Sequence, residues 1–73
     1  MTKTYPISIE KFLKAETLIR ENGGKVNKDN TFEVYGVRGR FEKEGGAISI
    51  TVTKKPFLAR WSTIEAKLDE FFS

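Results

Sequence analysis

Seventy-three residues leave room for one hydrophobic core, because a chain this short buries only about 60% of the surface its unfolded form exposes, so a single domain over 1–73 is predicted. The 38% hydrophobic and 32% charged residues are those of a folded protein and exclude disordered and fibrous classes. The absence of Cys and His excludes a disulfide framework, a thiolate metal site and a cysteine nucleophile and removes the commonest general base, while a formal charge of +3 supports only weak attraction to anionic partners.

The chain opens on a short extended lead-in at residues 2 to 6, where Pro6 biases Tyr5 toward extended backbone. It lacks the apolar stretch of a signal peptide, and no later window approaches the roughly 18 apolar residues of a membrane span. The default expectation is a cytoplasmic protein with no membrane span.

Ser8 is a good N-cap for a first helix, in which Ile9, Phe12, Leu13, Ala15, Leu18 and Ile19 fall on one broad side. Asn22-Gly23-Gly24 ends that helix. Residues 25 to 30 are polar and turn-rich. Phe32 and Val34 then alternate with Glu33 and Tyr35, which places a strand at 31 to 36. Gly36 and Gly39 mark a tight turn or bulge, and a second strand is expected over about 38 to 43.

Glu44-Gly45-Gly46 supplies a hairpin turn into the clearest strand of the chain, in which Ile48, Ile50 and Val52 alternate with Ser49, Thr51 and Thr53. Lys54-Lys55-Pro56 stops it. Ser62-Thr63-Ile64-Glu65 reads as a capping box before a second amphipathic helix carrying Ile64, Leu68, Phe71 and Phe72. The predicted fold class is α+β: helix, three-stranded antiparallel meander, helix (αβββα), the sheet extendable by residues 2 to 6, with both helices on one face.

The acidic residues sit on predicted polar faces or turns, where carboxylates stay solvated, so no catalytic residue, metal site or cofactor is expected. Gly36-Val37-Arg38-Gly39-Arg40 superficially resembles a phosphate loop, yet it lacks the Walker spacing and a following helix.

Two surfaces remain as candidates. Pro56-Phe57-Leu58-Ala59-Arg60-Trp61 puts three large apolar side chains in a loop. Either Phe57 and Trp61 fold back as a lid over the open end of the core, or the segment forms an apolar lip in which Phe57, Leu58, Arg60 and Trp61 dock on a protein, a second copy of the chain or a hydrophobic surface. Alternatively Arg38, Arg40, Lys54 and Lys55, joined by Lys43 and Arg60, form an anion patch that binds nucleic acid. The element order is that of double-stranded-RNA-binding domains, but the last helix carries Lys67 against Glu65, Asp69 and Glu70 and lacks their basic start.

The run Gly36-Val37-Arg38-Gly39-Arg40-Phe41-Glu42, the Gly45-Gly46 turn, the alternating residues 47 to 52, Pro56-Phe57-Leu58 and the closing amphipathic helix resemble the small bacterial polyhydroxyalkanoic acid system proteins. The likeness covers residues 31 to 72 in pattern, in a chain shorter than is usual for that family. It implies a non-enzymatic protein associated with storage-granule genes, of poorly defined role, and carries over no catalytic residue.

Overall fold

A computed structural model describes residues 1–72. The elements in chain order are β1 (Thr2–Pro6), α1 (Ile9–Glu21), β2 (Lys25–Val26), β3 (Thr31–Val34), β4 (Val37–Glu44), β5 (Ala47–Lys54) and α2 (Trp61–Phe72). The strands form one antiparallel sheet in the order β1-β5-β4-β3-β2. This corrects the three-stranded αβββα expectation, since a further strand lies at each edge of the meander. At one edge β1 pairs Tyr5 with Ile48 and Lys3 with Ile50. At the other, β2 pairs only Lys25 and Val26 with β3, and two residues are too few to display an alternation.

This order explains the placement of α1. It leaves β1 at one edge and delivers the chain to β2 at the other, a span of about 19 Å at a strand spacing of about 4.8 Å. Thirteen helical residues reach roughly 20 Å, so α1 traverses the sheet. Ser8 caps it as expected, its side chain accepting from the Lys11 N–H at 3.2 Å. The apolar stripe is wider than the buried one: Ala15 and Ile19 are buried, whereas Ile9 and Leu13 remain exposed.

Both helices cover the same face of the sheet. Phe12 of α1 packs edge-on against Phe41 at 5.2 Å between ring centres, and Phe72 of α2 stacks on Tyr5 at 6.0 Å. Phe32, Val34, Val37, Phe41, Ile48, Ile50 and Val52 point into this core, and their strand neighbours Arg38, Arg40 and Glu42 point out. The opposite face of the sheet is uncovered and polar. There Thr2 pairs with Thr51 and Thr4 with Ser49 through hydroxyls 3.1 Å apart.

One turn and one helix start depart from expectation. The strand predicted over 31 to 36 stops at Val34, because Tyr35 (φ 54°) and Gly36 (φ 74°) form a tight turn between paired Val34 and Val37. Left-handed backbone at both corners matches the twist of the flanking strands. The capping box is not formed: α2 begins at Trp61, ahead of Ser62, and the Arg60 carbonyl accepts from the Thr63 and Ile64 N–H groups.

Candidate interaction surface

The segment between β5 and α2 is a fixed turn. The Ala59 N–H donates to the Pro56 carbonyl at 3.0 Å, which places Phe57 and Leu58 at the two corners of a β-turn. Lys55 Nζ donates to the Ala59 carbonyl at 2.9 Å and lies 5.5 Å from the centre of the Trp61 ring. Pro56 rests against the neighbouring Tyr35-Gly36 turn, where a Cβ on Gly36 would lie 3.0 Å from Pro56 Cγ. Ala59 packs on the core. The backbone of the turn is therefore anchored while its corners project.

Those corners are normally Gly, Pro, Asn or Asp, for conformational and solvation reasons. Here Phe57 is 93% exposed and Leu58 89% exposed. Phe57 does not close the core as the lid reading required. Trp61 is 43% exposed, with part of its ring on the protein and part in solvent. Arg60 is exposed, so Phe57, Leu58, Arg60 and Trp61 are presented together within five consecutive residues.

Behind the turn lies an apolar cleft of about 280 Å³ between the start of α2 and the β3–β4 turn, lined by Tyr35, Val37, Ala59, Thr63, Ile64 and Lys67 among others. Tyr35 forms its rim. The Tyr35 hydroxyl donates to the Asn22 side chain, and Lys67 Nζ sits 5.6 Å from the ring centre.

The predicted basic patch is divided by the fold. Arg38 and Arg40 share the uncovered sheet face, and Lys54 pairs directly opposite Arg38 because a bulge at the 38/39 step shifts the register. Arg38 is bound to Glu33, with Nε 3.4 Å from the carboxylate, and Glu42 lies on the same face. Lys55 is engaged by the turn. Lys43 points to the helical side, where its Nζ lies 4.1 Å from the centre of the Phe12 ring. No aromatic ring among the described residues of β4 and β5 joins the uncovered face, since Phe41 points inward. Such rings are the usual platform for unpaired bases.

A third cluster escaped the sequence reading. Lys3 Nζ lies 3.0 Å from Asp69 Oδ1 and 3.9 Å from Glu65, and the Tyr5 hydroxyl donates to the same Asp69 oxygen at 2.6 Å. Burial, the hydrogen bond to Asp69 and the nearby carboxylates hold the Tyr5 phenol above its ordinary range. The bonds from Tyr5 and then Lys3 hold Asp69 below the usual carboxylate range. The cluster joins β1 to α2. Its sequence trace is a Lys-x-Tyr alternation in the lead-in, the only signal that residues 3 and 5 face inward.

Comparison with protein-family models, with curated proteins and with solved structures finds no match. No helix among the described residues is long and apolar enough to cross a membrane.

Proposed function

We propose that this chain is a small non-enzymatic docking module of the cytoplasm whose contact surface is the 56–61 turn, with Phe57 and Leu58 as the apolar contacts and Arg60 and Trp61 beside them. The observation that carries this reading is an anchored β-turn with two large apolar corners almost wholly in water. Exposing them forgoes roughly 1.5–3 kcal/mol per side chain relative to burial, and a contact that covers them recovers it.

Nucleic-acid binding through Arg38, Arg40, Lys54 and Lys55 has less support. Glu33 and Glu42 temper that face, and Lys55 is engaged elsewhere. The docking reading is tested by a photo-crosslinking residue placed at position 58 or at position 42 in cells that make the protein. Adducts of either protein or lipid at 58, with none at 42, are expected. Equal yields at both positions would refute it.

A further inference from the structure

From the charge around the turn we infer that its partner is an anionic lipid bilayer, into whose interfacial layer Phe57 and Leu58 insert. This rests on the docking reading and names its object. Residues 45 to 64 contain no Asp or Glu, whereas Lys54 and Arg60 flank the apolar corners along the chain and Lys55 is taken up by the turn itself. Basic side chains beside an inserted apolar element are drawn to anionic headgroups, each strengthening binding about fivefold near the surface. Trp61 follows directly, and indole rings favour the boundary between headgroups and acyl chains.

Exposure also favours a bilayer over other partners. Side chains about nine-tenths free of their own protein must be enveloped by whatever covers them, and a fluid acyl layer does this without a preformed socket. A second copy is disfavoured, because a two-fold contact through the same patch sets Lys54 and Arg60 against their own counterparts. Two turn corners also present far less than the roughly 800 Å² per partner of a stable protein interface. The turn sits on a fixed scaffold, since the Ala59–Pro56 and Lys55–Ala59 bonds hold it, so little ordering cost accompanies insertion.

The test uses the full chain with vesicles of phosphatidylcholine alone and of phosphatidylcholine with about one third phosphatidylglycerol, read by co-sedimentation and Trp61 emission. Binding to the anionic vesicles at least about tenfold tighter than to neutral ones is expected, with a blue-shifted Trp61 and weakening as salt rises. Phe57→Ser with Leu58→Ser should lower binding at least about tenfold, and Lys54→Glu with Arg60→Glu by a similar factor, with unfolding midpoints unchanged. Failure to bind anionic vesicles, or binding indifferent to Phe57→Ser with Leu58→Ser, overturns the lipid assignment. If position 58 then crosslinks to protein in cells, docking stands with a protein as its object; if it crosslinks to nothing, both readings fall.

Discussion

The Tyr5 hydroxyl donates to Asp69 Oδ1 at 2.6 Å across 64 residues of sequence, so the first strand and the last helix share one polar contact at the edge of an otherwise apolar core. Lys3 completes it from the same strand face. The bond lies beside the stacked rings of Tyr5 and Phe72, and the edge strand is therefore held by side chains as well as by its ladder to β5.

Tyr5→Phe keeps the ring and removes the donor. Because Asp69 is half exposed, the bond is screened by solvent and its loss should lower the urea unfolding midpoint only slightly.

The same contact sets two pH effects of opposite sense. Asp69 is held below its ordinary value, so its contribution is present above the unfolded carboxylate pKa, about 3.9, and is lost as pH falls further. Tyr5 is held above its ordinary value, so its contribution is complete below about pH 10 and is lost as pH rises beyond that. Unfolding midpoints followed across pH in wild type and Tyr5→Phe should show the alkaline decline diminished in the variant. An unchanged decline would assign it to other groups.

The two helix starts provide a paired prediction. Ser8→Ala removes a side chain that accepts from the Lys11 N–H and should cost about 1 kcal/mol. Ser62→Ala removes only an exposed hydroxyl inside the first turn of α2 and should change stability by less than about 0.5 kcal/mol. Equal costs in thermal unfolding would show that Ser62 caps α2 after all.

Gly39 sits opposite Phe32, and a Cβ there would come within 2.6 Å of the Phe32 ring and 2.7 Å of the Thr51 carbonyl oxygen. Gly39→Ala should destabilise by about 1–3 kcal/mol as overpacking against ring and backbone. An amide spectrum of the variant should show the disturbance centred on Phe32, Gly39 and Thr51.

Strong periodicities were legible in the sequence and weak ones were not. Ile48, Ile50 and Val52 announce β5 through six alternating residues, and Ile64, Leu68, Phe71 and Phe72 announce the buried side of α2. Of the edge strands, β1 was foreshadowed as an extended lead-in at residues 2 to 6 that could extend the sheet, but its inward contacts were not, and β2 was missed. In β1 the inward positions are Lys3 and Tyr5, whose polar ends are satisfied only by Asp69 and Glu65 at the far end of the chain. In β2 two residues cannot show a period. Exposure at Phe57 and Leu58 was equally hidden, because a lid and a projecting turn use the same residues. Only the Ala59–Pro56 bond, which aims both side chains outward, separates them.

Amide spectra of the labelled full chain, recorded as lysophosphatidylglycerol micelles and separately a short duplex RNA are added, test the docking surface most directly. Micelles should shift the Phe57, Leu58 and Trp61 signals while RNA leaves Arg38, Arg40 and Lys54 in place. Shifts at Arg38, Arg40 and Lys54 with RNA, and a turn untouched by micelles, would contradict the account.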